Sequence, residues 1–478
     1  MGTKIHQSSF QDNDFYLFHD LVTKETNTLK KWVKENKLSN GLRKEVGVEL
    51  EGWLLDEKFQ PIHSNLKFIK AIKDQHLVPE VAKSTLEINS DHYWLENRIF
   101  SLLYENLQKY IQACYQKADK ENKKFIYIGA LPAALPENFS CHELTNEHRY
   151  YAIDSRMSEL RHGDSIHFAI ISNNGNEKLI LHSPSIAIGG VISALHIHLQ
   201  VGLKESARYY NTAQIIAAPM LAIAANSLCL LGQPLWSETR VPFFEQLFHI
   251  DKVPGKSHTT RAFFGHHYLK ESLLELFIEN KQCHGAILPY IDLSHEDLFH
   301  LQLHNGTIYR WNRPVLGFNQ DGQPHFRIEH RFLSAGPTIL DMCANVALFI
   351  GIVHFFSQQE IPLEAQLEFK KAKYNFYQAA KYGLNCQLHW VNNKIIDASE
   401  LLLNILLPFA HEGLHQLEIH PEDIKLYLTI IEERIRTLRT ASDWQRLFLN
   451  KHNSDVKWLT KTYIELQRLG LPVHEWPI

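Results

Sequence analysis

The sequence predicts an α+β fold in which a curved antiparallel sheet of about six strands lines the active site and helices pack on its outer face. Several strand-like segments alternate apolar with charged side chains, as expected when one face of a sheet meets a core and the other lines a cavity. From about residue 338 onward the chain shows mainly the periodicity of amphipathic helices, which predicts a helical C-terminal region.

Composition and charge exclude several classes of function. The 478 residues are 45% apolar and 21% charged, and the formal net charge of −4 gives no electrostatic reason to expect nucleic-acid or membrane binding. The N-terminus lacks the apolar core of a signal peptide. No apolar run reaches membrane-spanning length, the best being the interrupted segment 215–232. The six cysteines are scattered without a CxxC pair, which predicts reduced thiols, with Cys114, Cys229 and Cys343 in the core, and a cytoplasmic protein.

Three regions are predicted along the chain. Residues 1–40 form an N-terminal helical segment, and residues 41–355 form the central domain. Residues 356–478 form an α-helical region that packs on this domain, because no flexible linker separates the two.

The elements follow from local periodicity. The N-terminal segment contains an amphipathic helix over 15–37. The central domain contains strands at 45–53 and 84–90, a helix over 92–121, an apolar strand at 125–131, a helix within 146–162, a strand at 193–203, helices over 205–232, a looser segment over 233–270 that covers the active site, and hairpin strands at 307–318 and 324–334 joined by a turn at 319–322. Helices are then predicted over 338–358, 362–382, 397–411, 421–440 and 455–468.

The first strand, "EVGVELEGW", carries carboxylates at alternate positions. Its valines and leucine share one face, whereas Glu45, Glu49 and Glu51 share the other. A carboxylate buried alone is very costly, so several on one buried face need a common counter-charge. The alternative is a half-exposed strand whose acidic face lies in water.

Three further strands repeat this pattern, which predicts a site for a nucleotide and divalent metals. Carboxylates, substrate phosphates and water are the usual ligands of Mg²⁺, Mn²⁺ also accepts imidazole, and arginines stabilise phosphate charge. Each residue also has an ordinary alternative: Glu87 as a surface residue, His198 as a hydrogen-bonded core histidine, and Arg327 with Glu329 as a surface ion pair. The polar face would carry Glu87, then His196 and His198, then Arg327, Glu329 and Arg331.

The segments "VGVELEGWLLD", "STLEINS", "ALHIHLQVG" and "FRIEHRF", in that order, resemble the landmarks of glutamate–cysteine ligase family 2. This family comprises bacterial carboxylate–amine ligases that share the antiparallel catalytic sheet of glutamine synthetase. The segments "NEHRYYAIDSRM", "AANSLCLLGQPLWSETRVPFFEQ" and "YNFYQAAKYGLN" are also similar to family segments. The resemblance covers roughly residues 43–410 and identifies 41–355 as a glutamine-synthetase-like catalytic domain.

The resemblance implies an ATP- and Mg²⁺-dependent ligase, with Mn²⁺ as an alternative metal. ATP would phosphorylate a carboxylate, most simply the γ-carboxylate of glutamate, and an amine such as cysteine would attack the acyl phosphate to form an amide. Carried over to matching positions, Glu329 and Arg331 would be catalytic. The implied metal ligands are Glu49, Glu51, Glu87, His196 and Glu329. The basic residues implied to bind ATP or the substrate carboxylate are Arg149, Arg240, Arg327 and Arg331.

One departure from the family pattern concerns the substrate. The family carries a "GGTHPF"-like segment where this chain has "IGALPAALPEN", without the Thr and His. A γ-glutamyl ligase with a different amine therefore stays open, as does a non-catalytic protein that keeps the metal and nucleotide site. A metal hydrolase is disfavoured, because it leaves the arginines unexplained and the chain has no HExxH spacing. The expected partners are small-molecule substrates, an amino-acid carboxylate and an amine, whose identities stay open, and a homo-oligomeric state is possible.

Overall fold

The computed structural model describes residues 4–41, 43–250, 260–294, 297–319 and 321–478. Its helices are α1 (Asp12–Lys34), α2 (Asn65–Ile72), α3 (Ile99–Lys120), α4 (His148–Leu160), α5 (Ser206–Ile223), α6 (Arg240–Leu247), α7 (Leu274–Cys283), α8 (Phe299–Asn305), α9 (Ile339–Ser357), α10 (Phe369–Tyr382), α11 (Ala398–Leu401), α12 (Leu407–Gln416), α13 (Pro421–Arg436), α14 (Ala441–Lys451) and α15 (Val456–Leu469). Its strands are β1 (Glu45–Leu55), β2 (Leu77–Pro79), β3 (Thr85–Asn89), β4 (Tyr93–Trp94), β5 (Lys124–Ile126), β6 (Ile166–Ile171), β7 (Lys178–Ser183), β8 (Ala194–Val201), β9 (Cys229–Leu230), β10 (Gln233–Pro234), β11 (Ala262–Phe263), β12 (Tyr309–Arg310), β13 (Asn312–Phe318), β14 (Pro324–Ser334), β15 (Gln387–His389) and β16 (Ile395–Asp397).

The central element is an antiparallel sheet in the order β13-β14-β8-β1-β3-β2. The two short strands β4 and β5 pair with the two ends of β1. Among the described residues the sheet therefore has eight strands, of which six form the main path, as the sequence predicted. The long acidic strand β1 lies in the middle, so its side chains have neighbours on both sides.

The two faces of the sheet differ as the alternation predicts. In β1 the side chains of Val46, Val48 and Leu50 are buried in the core. Helix α5 packs against β14, and α9 packs against α5 and α3 behind the sheet. His330, predicted to point away from the polar face, is buried with its ring 3.9 Å from that of Phe349 on α9. The opposite face carries the charged side chains.

An irregularity in β14 lies beside the polar face. The pairing of β14 with β8 is regular up to His330 and resumes at Leu333 with a shifted register. Such a bulge increases the local twist and re-aims a side chain. Arg331 lies inside the bulge, next to the charged residues of β8.

The C-terminal helices pack on the sheet without an intervening linker. Gln467 on α15 donates hydrogen bonds of 2.7 Å to the carbonyl oxygens of Tyr127 and Pro337. Arg434 on α13 forms a 2.8 Å ion pair with Asp341 on α9, and both side chains are fully buried. This packing agrees with the predicted attachment, while the division at residues 40 and 355 stays a prediction.

Several boundaries differ from those predicted. The helix predicted over 92–121 starts at Ile99, because residues 93–94 form an edge strand on β1. The apolar run at 125–131 forms only the three-residue strand β5. The hairpin β6–β7 and helix α14 were not predicted. Within the predicted cover 233–270, residues 251–259 lie outside the described residues, as does Gln320 of the predicted turn.

The apolar helix α9 corrects one expectation. At 19 residues with mean hydropathy 2.0, it is long and apolar enough to cross a membrane, although no such run was predicted. Its burial argues for a core role, since 83% of it lies inside the fold. The predicted core thiols Cys114, Cys229 and Cys343 are buried and free.

The buried pair of Asp341 and Arg434 yields a stability prediction. We expect Arg434→Ala to lower the free energy of unfolding by about 3 kcal/mol, because Asp341 is left as an uncompensated buried charge. The exposed pair of Arg436 and Glu432 on the same helix provides the control, and Arg436→Ala should cost less than about 1 kcal/mol. The measurement is urea unfolding followed by circular dichroism. Equal midpoints for the two variants would contradict the prediction.

Candidate active site

The polar face of the sheet brings the charged residues of four strands together. Residues directly opposite each other on neighbouring strands place their side chains on the same face. The register pairs Glu49 with His196, Glu51 with Glu87, and Glu329 with His198. The parity predicted from the sequence is therefore confirmed for each of these residues.

The first cluster of possible metal ligands, the Glu49 group, consists of Glu49, His198 and Glu329. Its ligand atoms all lie within 4.8 Å of one another. His198 Nε2 lies 3.1 Å from Glu49 Oε1. Burial alone would raise the pKa of Glu49, but His198 and His196 hold that pKa well below its usual value. The group therefore offers an imidazole and an ionised carboxylate.

Two arginines keep the other carboxylate of this group ionised. Arg313 Nε donates a 2.6 Å hydrogen bond to Glu329 Oε2, and Arg331 donates from Nη1 to Glu329 Oε1. Burial alone would raise the pKa of the fully buried Glu329 carboxyl, but these two guanidinium groups hold it well below its usual value. Glu329 is thus a fixed anion within the Glu49 group.

The second cluster, the Glu51 group, consists of Glu51, Glu80 and Glu87, whose ligand oxygens also lie within 4.8 Å of one another. Burial raises the pKa of Glu51 to about 7, and the Glu87 carboxylate adds to the shift. Burial and Glu51 likewise raise the pKa of Glu80 to about 7. Burial and Glu49 raise the pKa of Glu87 well above its usual value. A cation among the three carboxyls would favour their ionised forms.

His196 lies between the two groups. Its Nδ1 lies 3.0 Å from Glu49 Oε2 and 3.7 Å from Glu329 Oε1, and its Nε2 lies 3.9 Å from Glu51 Oε1. Burial and the nearby Arg331 lower the pKa of His196 to about 4, so the ring is neutral at pH 7. The ring is therefore within hydrogen-bonding distance of Glu49 and within 4 Å of Glu51, a carboxylate of the second group.

The predicted basic residues surround the carboxylates. Arg240 on α6 donates from both terminal nitrogens to the carbonyl oxygen of Arg331, at 3.2 Å each. Arg149 on α4 is buried against the Gly306 carbonyl oxygen. The Nε atoms of Arg240, Arg327 and Arg331 are buried and have no hydrogen-bond partner among the described residues. Buried guanidinium donors left in this way suit an anionic ligand such as phosphate or carboxylate.

Two cavities meet at this face, and Glu49, Arg313 and Arg327 line both. The first, which we call the arginine cavity, has a volume of about 320 Å³. Its polar side is formed by the Glu51 group with Arg149, Arg240 and Arg331, and its apolar side by Phe244, Phe248 and Tyr309. The second, which we call the hairpin cavity, has a volume of about 870 Å³ and lies beside the β13–β14 hairpin, where it is lined by Glu45, Trp94, His198, His325 and Glu329.

Sequence reasoning missed Glu80 and Arg313 and left His198 undecided. Glu80 follows β2, a three-residue strand that was not predicted. Only the antiparallel pairing of β2 with β3 would have indicated that Glu80 lies near Glu87. Arg313 lies opposite Glu329 in the predicted hairpin. Residues 129–139, where the chain departs from the family pattern, do not line the arginine cavity. They pack behind Ile186–Val191, and some residues of that segment do line the cavity.

The donor atoms of both groups fit divalent metals. Clustered carboxylate oxygens are the ligands that Mg²⁺ prefers, and an imidazole in the Glu49 group is also accepted by Mn²⁺. The Glu51 group supports this fit independently, because its three buried carboxyls have raised pKa values unless a cation offsets their repulsion.

Comparisons with known proteins concern the family and the fold of this chain. The model of glutamate-cysteine ligase family 2 (GCS2) matches residues 45–460. A crystal structure of glutamate–cysteine ligase from Francisella tularensis in complex with AMP superposes with a TM-score of 0.53 at 11% identity, over 90% of this chain and 89% of that one. A bifunctional glutathione synthetase from Pasteurella multocida gives a TM-score of 0.48 at 13% identity, over 91% of this chain and 54% of that one. No curated protein matches the sequence. The Francisella tularensis structure confirms the predicted glutamine-synthetase-like fold.

The crowding of the Glu51 group generates a prediction about metal binding. We expect Glu87→Gln to unfold at the same temperature as the wild type or higher in EDTA, because one of three repelling carboxyls is removed. The rise in unfolding temperature on adding Mg²⁺ or Mn²⁺ should be reduced, because a ligand is lost. Glu57→Gln, in the exposed turn after β1, is the matched control. A lower unfolding temperature in EDTA with an undiminished metal response would make Glu87 a structural carboxylate.

Proposed function

The chain belongs to glutamate-cysteine ligase family 2 and is a carboxylate–amine ligase, an enzyme that forms a C–N bond, and we propose that it uses ATP and Mg²⁺ to activate its acid. The proposed reaction transfers the γ-phosphoryl group of ATP to a substrate carboxylate. An amine then attacks the acyl phosphate, so that the amide forms and phosphate leaves. We propose the γ-carboxylate of glutamate as the acid.

One observation carries this proposal: the two ligand groups lie on one sheet face, between two cavities. Glu49 and Glu51 are two residues apart on β1, which separates them by about 7 Å along the strand. The Glu49 group faces the hairpin cavity, and the Glu51 group faces the arginine cavity. A triphosphate in the hairpin cavity and a carboxylate in the arginine cavity would meet beside β1, where phosphoryl transfer requires them.

The residues of the chain would position the reactants and neutralise their charge, which is most of the catalysis of phosphoryl transfer. Mg²⁺ held by the two groups would act as a Lewis acid on phosphoryl and carboxylate oxygens. Arg331 would donate hydrogen bonds to the phosphoryl group during its transfer. Its guanidinium is held by Glu329, and its buried Nε has no hydrogen-bond partner among the described residues. Arg327, which lines both cavities, would bind phosphate oxygens.

The arginine cavity would bind the acid and the amine. Arg240 is anchored to the backbone of β14, which holds its guanidinium beside that of Arg331. Arg149 approaches the cavity from α4. Together they supply the charge that a second carboxylate of an amino-acid substrate needs. The apolar side of the cavity would keep water from the acyl phosphate.

We propose that His198 completes the Glu49 group as a metal ligand, whereas the sequence pointed to His196. The supporting observation is the mutual 4.8 Å spacing of the ligand atoms of Glu49, His198 and Glu329. His196 is as close to Glu49, at 3.0 Å, but it also lies 3.9 Å from Glu51 and thus stands between the two groups. Its proposed role is to orient their carboxylates.

A γ-glutamyl ligase with another amine is the second candidate. The apolar side of the arginine cavity favours it, because Phe244, Phe248 and Tyr309 offer more aromatic surface than a small thiol requires. A non-catalytic metal and nucleotide binder has no comparable support, since both carboxylate groups and the basic residues around them are intact.

The test is ADP release by the purified protein with ATP, Mg²⁺ and glutamate across a panel of amines that includes cysteine. ADP release that depends on cysteine would establish a glutamate–cysteine ligase. Release that depends on another amine would support the second candidate. ATP binding without ADP release for any pair of acid and amine would contradict the proposed use of ATP.

Three substitutions test the roles of the site residues. Glu49→Gln and Glu329→Gln should reduce ADP release by at least about a thousandfold, because each removes a charged carboxylate from the group that would hold the cation. Arg331→Lys should also reduce the rate, since lysine lacks the planar fork of donors. Glu57→Gln is again the control. A wild-type rate in any of the three would remove that residue from the proposed machinery.

The two histidines are distinguished by their metal dependence. We expect His198→Ala to raise the Mn²⁺ concentration for half-maximal ADP release at least about tenfold, because a ligand is lost. His196→Ala should shift that concentration less and lower the rate at saturating Mn²⁺, because the carboxylates lose their orienting hydrogen bond. If His196→Ala raised the Mn²⁺ concentration for half-maximal ADP release more than His198→Ala did, His196 and not His198 would be the metal ligand.

A further inference from the structure

The hairpin cavity extends well beyond the Glu49 group. From Glu49 it follows β1 back to Glu45 and reaches the edge strand β4. Four residues of strand cover about 13 Å. This length is comparable to the distance from base to terminal phosphate in an extended nucleoside triphosphate. The inference below rests on the proposed use of ATP and concerns the far end of this cavity.

Trp94 forms one wall at that end. It pairs with Glu45 across the β1–β4 ladder, so its side chain lies on the face that carries Glu49. The side chain is 42% exposed, which is unusual for so large an apolar group. The Arg43 guanidinium lies 4.9 Å from the centre of the indole and is itself held by two 2.9 Å hydrogen bonds to Glu96. The indole is therefore an exposed but supported aromatic surface.

His325 forms the opposite wall. It alternates with Arg327 and Glu329 along β14, so it shares their face and lies four residues from Glu329. Strands β1 and β14 both run antiparallel to β8, so His325 and Trp94 lie at the same end of the sheet. His325 thus stands at the level of β4, away from the ligand groups.

The His325 ring is held by its neighbours, but one of its nitrogens, Nδ1, makes no hydrogen bond to the described residues. It lies against Gly317, where a Cβ would come within 2.6 Å of Nε2. The side chain is 6% exposed, and its buried Nδ1 has no hydrogen-bond partner among the described residues. Burial and the neighbouring Arg327 lower the pKa of His325 to about 4, so the ring is neutral and has one donor and one acceptor.

We propose that Trp94 and His325 form the base subsite for the nucleotide, in which the indole stacks on a purine and the imidazole hydrogen-bonds to its edge. Stacking of a base on an aromatic side chain is strong and tolerant of base identity. The edge hydrogen bond adds selectivity, because a base that cannot pair with it leaves a buried polar atom unsatisfied. The triphosphate then extends along β1 and β14 toward Arg327 and the Glu49 group.

The experiment measures equilibrium binding of ATP in the presence of Mg²⁺, together with the inhibition constant of inorganic tripolyphosphate. Tripolyphosphate offers the same anionic groups without a base. Trp94→Ala should weaken ATP binding about 5- to 100-fold, as expected for the loss of one base stack, and should leave tripolyphosphate binding within about twofold. Trp94→Phe should restore part of the affinity. Trp458→Ala, at a 47% exposed tryptophan on α15, is the matched control.

His325→Ala tests the second half of the subsite. We expect the ratio of the ATP and GTP dissociation constants to change by about two- to tenfold, the range of one hydrogen bond. Tripolyphosphate binding should again stay unchanged. An unaltered ratio would remove His325 from the subsite.

The outcomes separate this inference from the proposed reaction. Unchanged ATP affinity in Trp94→Ala, with ADP release intact in the wild type, would overturn the base subsite and leave the ligase proposal standing. Weakened ATP binding in Trp94→Ala, with no ADP release by the wild type, would support the subsite and contradict the reaction. Equal loss of ATP and tripolyphosphate affinity would also overturn the subsite, and failure of the wild type to bind ATP would overturn both.

Discussion

The repulsion among carboxylates on one face of the sheet is the constraint on which the rest of the site depends. Glu49, Glu51 and Glu87 occupy neighbouring positions on β1 and β3, where water screens them little: Glu87 is buried, and the side chains of Glu49 and Glu51 are only 13% and 17% exposed. Alternation along the strand places these carboxylates together and also commits the opposite side chains to the apolar core. A register that turned the acids outward would therefore expose the valines and leucine of β1, so the same packing that stabilises the sheet holds the charges together.

The structure offsets this repulsion unevenly. The carboxylate of Glu329 has two guanidinium partners, Arg313 and Arg331, whose charge keeps it ionised despite complete burial. In the Glu51 group, Arg331 and Arg240 offset only part of the effect of burial, which still raises the pKa of Glu51 and, with the neighbouring carboxylate, that of Glu80 to about 7. One side of the site is thus a preorganised anion, and the other acquires its full negative charge only with a cation. This asymmetry matches a reaction in which a phosphoryl group passes from one side to the other.

The sequence predicted the side of the sheet on which each polar residue lies but not which residues meet. Alternation needs only local information, so the faces of β1, β8 and β14 were predicted correctly. Register depends on how two strands pair: the predicted strand ends at residues 318 and 324 match those observed, but the pairing of Arg313 with Glu329 was not predicted. A difference of one residue decides whether Arg313 or its neighbour lies opposite Glu329. Glu80 was missed for a related reason, because a three-residue strand has too little periodicity to predict its pairing with β3.

The choice between His196 and His198 shows where the limit of such reasoning lies. Both share one face of β8, and local sequence treats them alike. Only the neighbouring strands separate them, since His196 stands opposite Glu49 and His198 opposite Glu329. The substrate is harder still to predict, because the walls of the arginine cavity come from segments distant in sequence, such as Phe244 on α6 and Tyr309 on β12. The four landmarks that carry the carboxylates lie on the sheet, whereas the walls that would select the amine lie on its cover. Sequence landmarks therefore predict the reaction of such a fold better than its substrate.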